Sequence, residues 1–229
     1  VKDAAGRNLI APLSGTHTGG GIKIDTPTIS GLTAPAFTNT FPVTISYTGA
    51  ADTSSGVSSV ELWFKKGESG TWGYSGQSSS SAPNGSISFS GFTDEGTYYF
   101  DVVVVDGAGN RSATPTGNGR ASTVYDTHVP TPGSITVPAY TNTNPVRIDY
   151  GAATDNLSGV TLYKMYYKQG GGGTWTDVGV NLVSTGGSVD FTIPGSVQGT
   201  YYLGLRAADA AGNDTGVPTG NGSASFMFD

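Results

Sequence analysis

The sequence predicts an all-β protein built as tandem two-layer sandwiches, and three observations carry that prediction. First, a turn phrase recurs as Asp3-Ala4-Ala5-Gly6-Arg7, Asp106-Gly107-Ala108-Gly109-Asn110 and Asp209-Ala210-Ala211-Gly212-Asn213, so both intervals between the aspartates are 103 residues. A fixed period marks a repeat architecture. Second, short runs rich in Val, Ile, Tyr and Phe alternate apolar with polar residues, the period of a half-buried strand. Third, Gly, Pro, Asn and Ser separate these runs at turn-like spacing, the punctuation of an all-β domain.

Residues 1–25 match the end of a repeat and finish in Gly21-Ile22-Lys23-Ile24-Asp25, the counterpart of Ala121 to Asp126 and of Ala224 to Asp229. The chain thus opens in mid-repeat, without an initiating Met or a leader, which predicts a slice of a longer array. An isolated hairpin is only marginally stable in water, so residues 1–25 are expected to pair with a neighbouring sheet edge or another chain.

The first full repeat is expected over 26–126 and the second over 127–229. In the first, strand A lies near Thr28 to Leu32 and strand B is Val43 to Tyr47. Strand C runs from Val60 to Lys65, with Val60, Leu62 and Phe64 facing in and Glu61, Trp63 and Lys65 facing out. A Gly-rich hairpin, Lys66 to Gly70, leads to Trp72. Strand E holds Ile87 and Phe89, strand F holds Tyr98, Phe100, Val102 and Val104, and strand G ends in Val124-Tyr125. The second repeat preserves this spacing at an offset of 103, except that Phe89 matches Phe191 at 102. The missing residue is expected in turns, because a one-residue slip inside a strand would turn its core face outward.

Composition narrows the function classes. Net charge is −6 and the basic residues are scattered, so no Lys/Arg stripe exists to neutralise phosphates and nucleic-acid binding is not expected. No apolar run is long enough for a membrane-spanning helix. Cysteine is absent, so neither disulfides nor thiolate metal sites hold the fold.

The phrase Asp94-x-Gly96-x-Tyr98-Tyr99-Phe100 resembles the Asp-x-Ala-x-Tyr-Tyr-Cys phrase of immunoglobulin strand F. With Asp-x-x-Ser-Gly-Val, a Trp after a Gly-rich hairpin and Asp-x-Ala-Gly-Asn, the set resembles the bacterial Ig-like repeats of large surface and adhesin proteins. The resemblance covers both repeats and the leading fragment. It implies Greek-key Ig-like sandwiches of about seven strands, with Tyr98 and Tyr201 as corner tyrosines whose hydroxyls bond nearby backbone. Phe100 and Leu203 would stand where the family has cysteine, and Val197 departs from the Asp94 position.

In such a sandwich the B–C and F–G loops emerge at the end where the chain enters. That end would gather Asp25, Asp52, Asp106 and Asn110 in the first repeat, and Asp126, Asp155, Asn156, Asp209 and Asn213 in the second. Ca²⁺ takes six to eight oxygen ligands of these types; the competing reading is that each Asp hydrogen-bonds its own turn. Trp63, Trp72, Tyr99, Tyr166, Trp175 and Tyr202 are expected on the outer C–F–G face, either as sugar-stacking surfaces or as ordinary cross-strand pairs. No catalytic residue is expected. Glu occurs only at 61, 68 and 95, and neither His17 nor His128 has Ser/Asp partners for a triad.

The expectation is therefore a non-catalytic, exported, cell-surface repeat: a stalk, filament or adhesin segment whose junctions are stiffened by Ca²⁺. Its partners would be neighbouring Ig-like repeats or copies of the same chain, and a surface glycan or protein receptor. The alternatives are a carbohydrate-binding module and an Ig-like appendage of an exported enzyme.

Overall fold

The computed structural model describes residues 26–229. Asp25 and the expected hairpin in residues 1–25 lie outside them. The first repeat contributes β1 (Gly31–Thr33), β2 (Phe37–Thr38), β3 (Val43–Thr48), β4 (Val57–Lys66), β5 (Gly73–Ser79), β6 (Gly85–Phe89), β7 (Gly96–Asp106) and β8 (Ala121–Tyr125). The second contributes β9 (Ile135–Thr136), β10 (Tyr140–Thr141), β11 (Val146–Tyr150), β12 (Val160–Gln169), β13 (Thr176–Asn181), β14 (Gly187–Phe191), β15 (Gly199–Asp209) and β16 (Ala224–Phe228).

Each repeat is a three-stranded sheet packed on a five-stranded one. The orders are β1-β3-β6 and β2-β8-β7-β4-β5 in the first, and β9-β11-β14 and β10-β16-β15-β12-β13 in the second. Strands β2 and β10 pair parallel to the last strand of their repeat; the neighbouring pairs are antiparallel. The strands expected from alternation are all present. The sequence reading omitted β5 and β13, which are Ser/Gly-rich or interrupted by Gly76 and Gly179, both in the left-handed region.

Alternating side chains from both sheets meet in one core per repeat. Ile45, Leu62, Phe89, Tyr98, Phe100 and Val104 are buried in the first, and Ile148, Met165, Phe191, Tyr201, Leu203 and Phe226 in the second. The offset slip falls where turns permit it. Val43 opposes Phe89 and Val146 opposes Phe191, so the E strands pair in the same register although one residue is missing before them. It is regained after Phe191, where a short 3₁₀ turn, Pro194–Ser196, precedes β15.

The corner tyrosines are in place. Tyr98 donates to the carbonyl of Asp94 at 2.9 Å and accepts from the Thr93 amide at 3.0 Å. Tyr201 donates to the carbonyl of Val197 at 2.9 Å. The tyrosine needs a backbone carbonyl there, not a carboxylate, so Val197 serves as well as Asp94. The Asp94 side chain instead pairs with Lys66 at 3.0 Å.

One orientation needs correction. Lys65 was expected to face solvent; it points away from the core but is only 4% exposed, as is Lys168, because aromatic rings cover both.

Candidate functional site

The B–C and F–G loops do meet at one end of each sandwich. Asp52 caps its loop: one carboxylate oxygen accepts from the amides of Ser54, Ser55 and Gly56 at 3.1, 2.7 and 2.9 Å. Asp155 repeats this toward Leu157 and Gly159 at 3.1 and 2.7 Å. Glycine follows the cap because Gly56 and Gly159 sit at φ +74° and +76°, where a Cβ is penalised. In the F–G turn Asp106 accepts from the amides of Ala108 and Asn110 and from the Asn110 side chain. Burial pushes the Asp106 carboxyl up, yet the bonds from Asn110, Ala108 and Ser55 outweigh it and hold the group below the usual carboxylate range.

The loops are tied together by Ser55, whose hydroxyl accepts from Ala108, and by Ser158, whose hydroxyl accepts from Ala211. At the junction Asp126, fully buried, follows the last strand of the first repeat and enters this end of the second. Its carboxylate accepts from the Ser158 amide at 3.0 Å, and its carbonyl accepts from the Asn213 side chain at 2.9 Å. Asn39, from the first repeat, donates to Asn213 at 3.1 Å.

Asp126, Asp155 and Asp209 consequently bring carboxylate oxygens within 4.8 Å of one another. Two unit charges at that distance repel by about 3 kcal/mol at an effective dielectric of about 20. No Lys or Arg pairs with any of the three among the described residues. The second oxygen of Asp155 is buried and has no hydrogen-bond partner among the described residues; the matching oxygen of Asp52 is in the same condition. The donor set is oxygen only, the type that suits a hard cation. Asn156 and Asn213, expected beside these aspartates, are there, but their amides are engaged: Asn156 reaches Glu95 at 3.4 Å and Asn213 bonds Asp209 at 2.8 Å. Asn110 likewise braces Asp106. In the first repeat the third carboxylate would be Asp25, outside the described residues.

Sequence reasoning missed a second element of this junction. Glu95 accepts from the Thr127 amide at 2.7 Å and from its hydroxyl, and both its oxygens lie 2.6 Å from His128 Nδ1. The Thr127 hydroxyl, against a smaller opposing effect of burial, and then the Thr127 amide and His128 push the Glu95 carboxyl down to about 2. The available signal was a break in the repeat: the second repeat carries Gln198 where the first has Glu95. Glu95, Asp126 and His128 also converge within 4.8 Å.

The six aromatics do not form a single row. Lys65 Nζ lies 5.7 Å from the Trp72 ring centre and 5.2 Å from that of Tyr99, and Lys168 lies 5.3 Å from both Trp175 and Tyr202. Each ammonium is thus boxed between two rings, a cation–π arrangement, and is held by carbonyls of its own hairpin, Glu68 and Gly171. Trp63 stands apart, packed 6.3 Å from Tyr74, and Tyr166 is buried beside Arg206. Lys65 and Lys168 recur at the same offset as their rings, a signal the strand alternation hid by assigning the lysines to solvent.

The two-sheet topology, the Greek-key strand order and the corner tyrosines define each unit as an immunoglobulin-like sandwich. The profile of the bacterial Ig-like domain family matches residues 38–120 and 147–229, and the chain belongs to that family. No curated protein matches it. Among solved structures it is similar to the fibronectin(III)-like modules of Clostridium thermocellum CbhA, at 18% identity over 87% of this chain and 89% of that one, with a TM-score of 0.40. It is also similar to the FN1-FN3 domains of chicken CNTN1, at 13% identity over 89% of this chain and 66% of that one, with a TM-score of 0.44. At these scores the two likenesses carry no further argument.

Proposed function

We infer that the chain is a non-catalytic structural segment of an exported, cell-surface rod, in which a divalent cation locks the joint between successive repeats. The observation that carries this reading is Asp126. One buried carboxylate ends the first repeat, accepts from the backbone of the second, and faces two further carboxylates that the second repeat supplies. An uncompensated acidic cluster at a joint favours separation of the domains. A cation shared by Asp126, Asp155 and Asp209 reverses the sign of that interaction and also satisfies the orphaned oxygen of Asp155. Ca²⁺ fits the oxygen-only set best. The same arrangement of Asp52 and Asp106 at the leading end of the first repeat supports a joint of this kind with a neighbouring Ig-like repeat, whether of the same or another chain. Nearest-neighbour contacts of this sort are how repeat arrays gain stiffness.

The test is small-angle scattering and a thermal melt of the full chain in Ca²⁺ and in EDTA, with Asp155→Asn alongside. Asparagine keeps one oxygen to cap the loop but removes a charge from the cluster. At a cation concentration ten times Kd the folded state gains about 1.4 kcal/mol. We expect Ca²⁺ to narrow the spread of interdomain distances and raise Tm in the wild type, and to do neither in Asp155→Asn. Superimposable profiles with and without Ca²⁺ would refute the cation lock while leaving the structural role intact.

A further inference from the structure

Beyond the joint, the first repeat carries a recess that the second lacks the residues to form. It has a volume of 320 Å³, at the lower end of the ~300–1,000 Å³ of small-ligand sites, and lies between β5 and β6. Each of those strands is the outer strand of its sheet, so the recess is the open seam of the sandwich. Phe64, half-buried, provides its apolar wall and rests on the fully buried Phe89, with ring centres 4.8 Å apart, while Ser75, Gln77, Ser88 and Ser90 provide the rest. Gly91 lets the backbone close over Phe89 at the floor of the recess, since a Cβ there would lie 2.9 Å from that ring.

The second repeat is an internal control, because β13 pairs with β12 in the register of β5 with β4. Tyr166 opposes Asp177 as Trp63 opposes Tyr74. At an offset of 103, Ser75 and Gln77 therefore correspond to Val178 and Val180, and Phe64 to Tyr167. Val178, partly buried, packs on the core of the second repeat. The fold thus accepts a valine that buries apolar surface at this seam, and the first repeat has a serine there instead. That serine hydroxyl accepts from the Gln77 amide at 3.1 Å, so the first repeat trades buried apolar surface for polar groups along the recess, and such a departure from the local packing rule points to a site.

We propose that this seam recess of the first repeat binds a neutral sugar ring. Among the described residues the lining has no charged side chain, which disfavours ionic ligands. Hydroxyls both donate and accept and the glutamine amide does both, matching the alternating donors and acceptors around a pyranose. The exposed part of the Phe64 ring suits the sugar's C–H face. The site is distinct from Trp63 and the boxed Trp72 and Tyr99 on the outer sheet face, and it is independent of the cation joint.

The experiment is a ¹⁵N NMR titration of the full chain with cellotetraose, maltotetraose and xylotetraose, each to millimolar concentration. Amides of Ser75, Gln77, Ser88 and Gly91 should shift with at least one of them, while those of Val178 and Val180 stay still. Ser75→Val with Gln77→Val installs the second repeat's residues at the loss of one exposed hydrogen bond, so it should still fold and should weaken binding by about tenfold or more, equivalent to about 1.4 kcal/mol. Trp63→Ala should bind as the wild type does. The proposal is overturned if none of the three sugars moves these amides, if binding survives the double valine variant, or if the shifts centre on Trp63 and Tyr74 and vanish in Trp63→Ala.

Discussion

Removing the hydroxyl of each corner tyrosine separates two sandwiches that otherwise look alike. In Tyr98→Phe the loss is of a donated bond to Asp94 O at 2.9 Å, an accepted bond from Thr93 N at 3.0 Å and a longer one from Asp94 N at 3.3 Å. In Tyr201→Phe the structure gives one bond to lose, to Val197 O at 2.9 Å. Both rings are 1% exposed and phenylalanine keeps the ring in each case, so the difference rests on hydrogen bonding. At about 1 kcal/mol net per good intramolecular bond, Tyr98→Phe should cost about 2 kcal/mol and Tyr201→Phe about 1. For a domain of this size each kcal/mol corresponds to about 4–8 °C in Tm. Calorimetry of the full chain, fitted for both repeats, should show the first repeat's transition falling roughly twice as far as the second's. Equal shifts, or a larger one for Tyr201→Phe, would refute the assignment of the corner's strength to the number of backbone groups it holds.

Other consequences follow from the junction and the boxes. The Glu95 carboxyl, lowered to about 2, contributes to the joint fully above its ordinary value near 4.5 and progressively less as pH falls toward 2. Carbonyl NMR of Glu95 should find its midpoint well below 4, and a normal midpoint would disprove the clasp. His128→Ala should raise that midpoint less than Thr127→Ala, because the Thr127 hydroxyl is the largest cause of the shift. Gly119→Ala should destabilise the first repeat by more than about 1 kcal/mol, since Gly119 has φ +64° and a Cβ there would lie 2.5 Å from Phe100 O and 2.7 Å from Trp72. It should also red-shift tryptophan emission as Trp72 is pushed off Lys65; unchanged emission and stability would count against the box as a packed unit.

The sequence by itself determined the period, the strands and the core face, because alternation and turn chemistry are local and each recurs at a fixed offset. Ile45, Leu62 and Phe100 could be placed inward before any contact was known, and the slip around strand E could be confined to turns because a shifted strand would expose Phe89. It also gathered Asp126, Asp155 and Asp209 at one end, since loop placement follows from the sandwich topology. What only the tertiary structure decided is how side chains share that space. Strand alternation assigns Lys65 to the outer face, but cannot say that Trp72 and Tyr99 close over it; that requires the hairpin to fold back across the sheet. Nothing local couples Glu95 to Thr127 and His128, which are more than thirty residues away along the chain, and the partnerless oxygen of Asp155 exists only once Leu157 and Gly159 occupy its twin. The seam between β5 and β6 is likewise a gap between two sheets, and a gap has no sequence of its own.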